Sequence, residues 1–278
     1  AAPYKSIELT ASGNFIIMPS DYVNNVNWHA PATSKSKLWH SRLMSGMITA
    51  NAPMPITRVY SLIVYGSYTK TGENQYNLEG FGTLTIIKDA DGTAHTIVLT
   101  PTGKPSKEYT AHKQNADINS EMSSKLCRTW YTESFRAFSK VNGKTVVDIT
   151  ANTLPELGDK IYEWAKKNDP EFEENEWDWE NEWDVNPENV IFTKTGTYVV
   201  LYSNEQLAVS TWKWADERNG ILRYSWNPDS FNDAYLGGDV KIEFKNNKCY
   251  LTEGESGYDE VENEYYDDGI TFIMTEAK

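Results

Sequence analysis

Three short apolar runs joined by turn residues, between positions 190 and 226, limit most strongly what this chain can fold into. The turns lie at residues 194–196, 203–206 and 216–220, and each contains Gly, Asn or Asp. Within the runs, aromatic and β-branched residues alternate with polar ones, as in the sequence Trp-Lys-Trp at 212–214. A period of two is typical of half-buried antiparallel strands, so this stretch predicts a series of β-hairpins.

The same pattern occurs near the start of the chain. Residues 7–17 (IELTASGNFII) and residues 190–200 (VIFTKTGTYVV) share one order of apolar, Thr, Gly and aromatic positions. Two further pairs of segments correspond in the same order, 66–68 with 210–212 and 82–86 with 238–242. The first part of the chain is therefore predicted to be a divergent copy of the second.

The strand signals divide the chain into an N-terminal β unit at 1–115, a linker at 116–125 and a C-terminal β unit at 126–278. Residues 1–125 carry 11 basic and 9 acidic side chains, whereas residues 126–278 carry 15 and 31, and this asymmetry supports two units. About nine strands follow residue 126 as neighbouring hairpins, and such a meander leaves unpaired edges unless it closes.

The predicted fold class is therefore all-β, with at most one short helix per unit. It consists of two tandem antiparallel up-and-down meanders, the second an 8–10-stranded barrel and the first its divergent copy. The helix of the second unit is predicted to begin at a capping box formed by Thr153 and Glu156. Its predicted apolar face consists of Leu154, Leu157, Ile161 and Trp164.

Two acidic loops are predicted in the second unit, at 169–188 with ten carboxylates and at 253–268 with eight. If both lay at one mouth of the barrel, their repulsion would raise carboxylate pKa values and favour a bound calcium ion. Neither loop has the ligand spacing of a calcium loop, and salt screens charges more than about 8 Å apart. We therefore expect diffuse screening and no metal ion or other cofactor, with a calcium site as the alternative.

The two cysteines, Cys127 and Cys249, fit neither a metal-binding nor a redox motif. Two buried thiols are favoured over a disulfide, because Cys127 has the opposite strand parity to the core candidate Trp130. The net charge of −14 repels phosphate groups, so nucleic acid and anionic membrane surfaces are not expected partners.

Three short motifs resemble the lipocalin-like domains of exported lipoproteins from gut Gram-negative bacteria: Thr129-Trp130, FTKTGTY at 192–198 and STWKW at 210–214. Those domains typically show Gly-x-Trp, Phe-Thr-x-x-Gly-x-Tyr and Gly-Thr-Trp, whereas Arg128 and Ser210 stand here where Gly is usual. The resemblance covers 126–278 well and 1–100 in part. It implies a lipocalin-like barrel in an extracytoplasmic protein. It also implies that an N-terminal lipid, absent from this chain, anchors the protein at the outer membrane or cell surface.

The sequence offers no catalytic constellation. The four histidines, at 29, 40, 95 and 112, all belong to the first unit. The sequence Gly-Glu-Ser-Gly at 254–257 is not the Gly-x-Ser-x-Gly nucleophile elbow. We therefore predict a protein without enzymatic activity.

Aromatic residues on the strands of the second unit form the first candidate ligand-binding site. They are Trp130, Tyr198, Trp212, Trp214, Tyr224 and Trp226. They either line a cavity in the barrel or fill it, and a filled interior is favoured because about eight strands leave room only for side chains.

The acidic segment provides a second candidate site, consisting of Trp177, Trp179 and Trp183. These side chains either stack on a sugar or a partner protein, or they fold back on the barrel. The predicted function is an exported, non-catalytic binding module for a small apolar or glycan ligand. The alternative is a structural or adhesion component of the cell surface that acts through protein–protein contacts.

Overall fold

A computed structural model describes residues 4–20, 63–89, 94–113, 120–168, 172, 186–204, 207–225, 237–260 and 263–277. The chain divides into two compact units, the first containing the strands before Arg128 and the second containing the strands after it.

The first unit is a seven-stranded antiparallel meander in which each strand pairs with the next. The strands are β1 (Tyr4–Leu9), β2 (Asn14–Pro19), β3 (Val64–Gly72), β4 (Gln75–Leu78), β5 (Gly82–Lys88), β6 (Ala94–Pro101) and β7 (Lys107–His112). Helix α1 (Glu121–Leu126) follows, and the hydroxyl of its N-cap Ser120 accepts a hydrogen bond from the amide of Ser123. The core consists of Phe15, Ile17, Leu78, Leu84 and Leu99.

In its described residues the second unit has nine strands and one α-helix. The elements are β8 (Thr129–Val141), β9 (Lys144–Ala151), α2 (Leu154–Asn168), β10 (Pro187–Phe192), β11 (Thr197–Tyr202), β12 (Leu207–Asp216), β13 (Ile221–Ser225), β14 (Gly237–Lys245), β15 (Lys248–Asp259) and β16 (Glu264–Glu276). Strands β10 to β16 follow one another as neighbours, and β8 pairs with both β16 and β10. These eight strands therefore form a closed barrel. Strand β10 pairs with residues 129–131 of β8, and β9 pairs with residues 135–141 of the same strand.

This architecture confirms the predicted fold class of all-β meanders with a barrel in the second unit. The capping box of α2 is also present, because the Thr153 hydroxyl accepts from the amide of Glu156 at 3.2 Å. The Glu156 carboxylate in turn accepts from the amide of Asn152 at 2.9 Å. Of the predicted apolar face of α2, Leu154, Leu157 and Ile161 are buried and Trp164 is partly buried. The helix packs on β8 and β9.

The two meanders share one pairing register, as the sequence repeat predicted. Phe15 lies opposite Gly66 in the first unit, just as Tyr198 lies opposite Ser210 in the second. The correspondence extends through seven strands, β1 to β7 matching β10 to β16. Among the described residues, no strand pairs with β1 and β7 in the way that β8 pairs with β10 and β16. The second meander is therefore closed by β8, whereas the first is an open sheet over the residues that the structure describes.

Even the irregularities of the two meanders correspond. The register shifts between Lys70 and Gly72 in one copy and between Trp214 and Asp216 in the other. The turn that follows each shift contains a residue with positive φ, Asn74 at 58° and Gly220 at 71°. Both turn residues accept a hydrogen bond through their carbonyl oxygens, from the amides of Ile86 at 2.9 Å and Ile242 at 2.7 Å. The repeat therefore preserves the backbone of a bulged hairpin as well as its apolar pattern.

The prediction of an acidic loop at 253–268 is wrong. Strands β15 and β16 pair without interruption from Lys248 opposite Thr275 to Asp259 opposite Glu264. Tyrosines favour strand structure here, and the ring of Tyr266 lies against Gly257, where a Cβ atom would be 2.8 Å from the phenol oxygen. Because successive side chains on a strand point to opposite faces, the carboxylates of this segment do not form one loop surface.

Candidate functional site

The structure buries four of the six aromatic residues predicted to line the barrel, namely Trp130, Tyr198, Trp212 and Tyr224. Trp214 is only partly buried, and Trp226 lies outside the described residues. Strand alternation accounts for the burial of Trp212, because its neighbour Lys213 points to the opposite face and is exposed.

These rings contact one another and occupy much of the interior. Phe192 stacks on Tyr198 with ring centroids 4.9 Å apart, and it meets the edge of Trp212 at 5.7 Å. Tyr198 in turn contacts Tyr224, with ring centroids 5.9 Å apart. Elsewhere in the barrel, Phe135 packs edge-on against Phe272 at 5.1 Å. Of the two alternatives for the interior, the structure therefore favours a barrel that is nearly filled.

A small cavity remains at one place inside the barrel. Its lining consists of Phe192, Tyr198, Leu222, Tyr224, Val240, Leu251, Glu253 and Phe272. The volume open to the centre of a water molecule is about 10 Å³, which corresponds to room for about one water. The cavity is thus too small for a bulky ligand unless side chains move, but it accommodates a small polar group.

Among the described residues that line the cavity, Glu253 supplies the only charged side chain. It is 6% exposed, and its Oε1 atom accepts a hydrogen bond of 2.7 Å from the hydroxyl of Tyr224. Sequence reasoning placed Glu253 in an acidic loop and missed this role. Strand parity carried the missing signal, because Glu253 is in phase with the apolar residues Cys249 and Leu251.

The electrostatics of the site keep its phenols neutral. Burial raises the pKa of Tyr224 well above its usual value, and the negative charge of Glu253 adds to the effect. Burial also raises the pKa of Tyr198, and the charge of Glu253 is again the smaller cause. The pKa of Tyr202 is raised mainly by burial and to a smaller extent by the nearby Tyr198. Each phenol therefore keeps its proton, and the hydroxyl of Tyr224 can donate to the carboxylate.

A second acid, Asp268, is buried on β16 at 3% exposure and lies opposite Ser139 of β8. In the part of the chain that the structure describes, Glu253 and Asp268 are the only buried residues of charged type, and no Lys or Arg is buried. The described interior of the second unit thus contains two acidic side chains besides its aromatic rings.

The remaining sequence predictions divide between described and undescribed residues. Trp177, Trp179 and Trp183 lie outside the described residues, as do His29 and His40 and most of the acidic segment at 169–188. Cys127 and Cys249 are both buried free thiols, as favoured. Over the described ranges, no group of three or more His, Cys, Asp or Glu side chains is arranged to hold a metal ion.

Comparison with protein-family models and with curated protein sequences finds no match for this chain. No helix within the described ranges is both long enough and apolar enough to cross a membrane.

Proposed function

We propose that the second unit is a non-catalytic binding module that takes a small ligand, or one slender end of a ligand, into the interior of its barrel. One observation carries this proposal. In a closed barrel, a cavity remains where aromatic rings and the carboxylate of Glu253 meet among the described residues. Binding sites typically combine an apolar lining with a few placed polar groups, and this cavity has that composition.

The size of the cavity narrows the ligand class. A bulky apolar molecule would have to displace several core rings, whereas a group about as large as one water fits the existing space. A glycan would bring many hydroxyl groups to a lining whose polar side chains are those of Tyr198, Tyr224 and Glu253. A small molecule that combines an apolar part with one polar group suits the lining better than a bulky apolar molecule or a glycan does.

The resemblance to lipocalin-like domains gives the proposed setting of this module. The closed up-and-down barrel is the architecture expected from that resemblance, which supports it. We therefore propose an exported protein, held at the outer membrane or cell surface by a lipid at its N-terminus. Fractionation of cells that express the protein, with metabolic labelling by a fatty acid, tests this setting, and an unlabelled protein in the cytosolic fraction would contradict it.

Tryptophan fluorescence provides the direct test of ligand binding, because Trp212 contacts the cavity residue Phe192. Titration with a panel of small apolar, polar and charged compounds is expected to reveal at least one saturable change in emission. The Val240→Ile variant adds a methylene group next to the cavity and is expected to abolish that change, while Val200→Ile, a buried substitution outside the lining, is expected to retain it. Equal binding by Val240→Ile, or no saturable ligand in the panel, would refute the proposal.

A surface feature favours the second candidate function, a structural or adhesion role through protein–protein contacts. Tyr258 and Tyr265 lie opposite each other on β15 and β16 and are 45% and 66% exposed. Their ring centroids are 4.8 Å apart, so the two rings form one aromatic patch at the surface. Exposed tyrosines are enriched at protein interfaces. Replacement of both by Ser should abolish capture of a surface partner if this role is correct, and unchanged capture would exclude the patch.

A further inference from the structure

The far end of the β15–β16 hairpin carries two tyrosines that lie side by side. Tyr258 and Tyr265 are directly opposite each other in the antiparallel ladder, next to its last pair, Asp259 and Glu264. Their ring centroids are 4.8 Å apart, and the ring planes make an angle of 55°. The two side chains are 45% and 66% exposed. Two phenols are thus in mutual contact and both are open to solvent.

The backbone fixes the positions of both tyrosines. Strand β16 is held between β15 on one side and β8 on the other. The amide of Asn142 donates to the Tyr265 carbonyl oxygen at 2.7 Å, and the Tyr265 amide donates to Oδ1 of Asn142 at 3.0 Å. The hydroxyl of Tyr258 donates to Oδ1 of Asn263. The strands therefore keep the two rings together, while exposed side chains at such a site still rotate about their torsions.

We propose that Tyr258 and Tyr265 are a site of oxidative modification, at which one-electron oxidation joins the two rings in an intramolecular dityrosine cross-link. Phenoxyl radicals couple through the ring carbons next to the oxygen, so proximity and access to the oxidant decide which tyrosines are joined. The separation of 4.8 Å lies near the lower end of the range for contacting rings, about 4.5–7 Å. The modification requires neither a ligand in the barrel nor a partner on the aromatic patch.

The reaction balances with hydrogen peroxide as the oxidant and a haem peroxidase as its catalyst. Each phenol loses one electron to the peroxidase and one proton to solvent, which leaves two phenoxyl radicals. A carbon–carbon bond forms between the two ortho carbons, and a proton then transfers from each of these carbons to the oxygen of the same ring. The two electrons and two protons reduce one peroxide molecule to two molecules of water. The protein loses two hydrogen atoms in total.

Two other pairs of tyrosines in contact are less suited to this reaction. The rings of Tyr68 and Tyr76 are 5.7 Å apart and meet edge-on, and both side chains are partly buried. The rings of Tyr198 and Tyr224 are 5.9 Å apart, and both side chains are buried. We therefore expect the pair at the end of the hairpin to couple before either of these pairs.

The cross-link has a structural consequence that can be measured. It joins β15 to β16 covalently where their ladder ends, at Asp259 opposite Glu264. A cross-link removes conformations from the open state, so the end of the hairpin should open less often. Exchange of the backbone amide hydrogens in the last pairs of the ladder should therefore be slower in the cross-linked protein than in the unmodified protein.

Limited oxidation followed by mass spectrometry tests the proposal. The purified protein is treated with hydrogen peroxide and a haem peroxidase, and the monomer is digested with a protease that cleaves after glutamate. Glu260, Glu262 and Glu264 lie between the two tyrosines in sequence, so digestion separates their peptides unless a bond joins them. We expect joined peptides that lack two hydrogen atoms, together with dityrosine fluorescence. Their yield should not depend on protein concentration, because the coupling is intramolecular.

Four single variants locate the bond. Tyr258→Phe and Tyr265→Phe each keep a ring but remove the phenol, and either change should abolish the joined peptides. Tyr266→Phe is the matched control, because Tyr266 lies in the same peptide as Tyr265 but on the opposite face of the strand. Tyr131→Phe removes another tyrosine that is 51% exposed. Both of these controls should form the cross-link as the original protein does.

Three results would overturn the proposal. The first is a set of joined peptides that persists in Tyr258→Phe or in Tyr265→Phe. The second is dityrosine found only in covalent dimers, with a yield that rises with protein concentration, because coupling would then occur between molecules. The third is an absence of joined peptides under conditions in which N-acetyltyrosine, oxidised in a parallel reaction, forms its own dimer.

Discussion

Leu99 and Glu253 occupy the same register position in two copies of one antiparallel meander. Both side chains are buried, but one is an aliphatic core residue and the other accepts a hydrogen bond from Tyr224 next to a cavity. A single chain therefore contains an internal comparison between an apolar and a polar version of the same interior. This comparison separates what the fold needs, which the two copies share, from what the second copy has acquired.

Tyr224 and Glu253 should be energetically coupled through their hydrogen bond. Tyr224→Phe removes the donor and leaves a buried carboxylate with one partner fewer, so we expect a loss of about 1–3 kcal/mol in the free energy of unfolding. In the Glu253→Gln background the same change should cost less, because a neutral amide is cheaper to leave unsatisfied. Chemical denaturation of the four proteins of this double-mutant cycle measures the coupling. A coupling energy near zero would contradict the importance of the bond.

The buried phenols predict a loss of stability at high pH. Burial raises the pKa values of Tyr198, Tyr202 and Tyr224, and for Tyr198 and Tyr224 the charge of Glu253 contributes as well. In the unfolded chain these phenols ionise near pH 10. Their contribution to stability is therefore fully present below about pH 10 and is lost as the pH rises above it, since only the unfolded state releases its protons there.

An alkaline titration that follows phenolate absorbance checks this expectation. The buried phenols of Tyr198, Tyr202 and Tyr224 should ionise only together with the loss of the barrel's circular dichroism. Ionisation of all 17 tyrosines in one reversible step, with the fold intact, would show that the phenols are not buried as described.

The two cysteines should be unreactive in the folded protein. Burial raises the pKa of the Cys127 thiol to about 12, and Cys249 is completely buried. Because the thiolate is the reactive species, a thiol reagent at mildly alkaline pH should label neither residue rapidly. Denaturant should expose both, so the labelling should rise from none to two equivalents. Rapid labelling of one native thiol, or fewer than two after denaturation without reductant, would disagree with two buried free thiols.

The internal repeat made the hairpin series predictable from sequence. The spacing of Thr10 and Gly13 before Phe15 recurs at Thr193 and Gly196 before Tyr198, and turn residues of this kind determine hairpin register. The same hydrogen bond follows each turn, from the amide of Tyr68 to Gly13 at 2.7 Å in one copy and from Trp212 to Gly196 at 2.7 Å in the other. Local pattern was sufficient here because the turn residues themselves are close in sequence, from Thr10 to Phe15 in one copy and from Thr193 to Tyr198 in the other.

The candidate site was harder to predict, because its charged residue, Glu253, lies in a strongly acidic stretch. A run of carboxylates between Glu253 and Asp268 is typical of solvated loops. Composition does not reveal that most of this run lies in β15 and β16, or that β16 also pairs with β8. Burial of Glu253 depends on its strand pairing, in which it lies opposite Ile270 of β16. Its equivalence to Leu99 becomes visible only when the ladder is known. Aromatic residues such as Trp212 were predictable because their burial follows directly from alternation.

Trp212 should be the most sensitive tryptophan of the described barrel to truncation. It is almost completely buried and contacts Phe192 and Trp214, at centroid distances of 5.7 Å and 5.6 Å. Trp212→Ala removes a large side chain from a filled interior, and we expect it to lower the free energy of unfolding by about 3–5 kcal/mol. Trp214→Ala is the matched control on the same strand, and its loss should be clearly smaller because Trp214 is only partly buried. Equal losses for the two variants, measured by urea denaturation, would mean that the interior around Trp212 is not tightly packed.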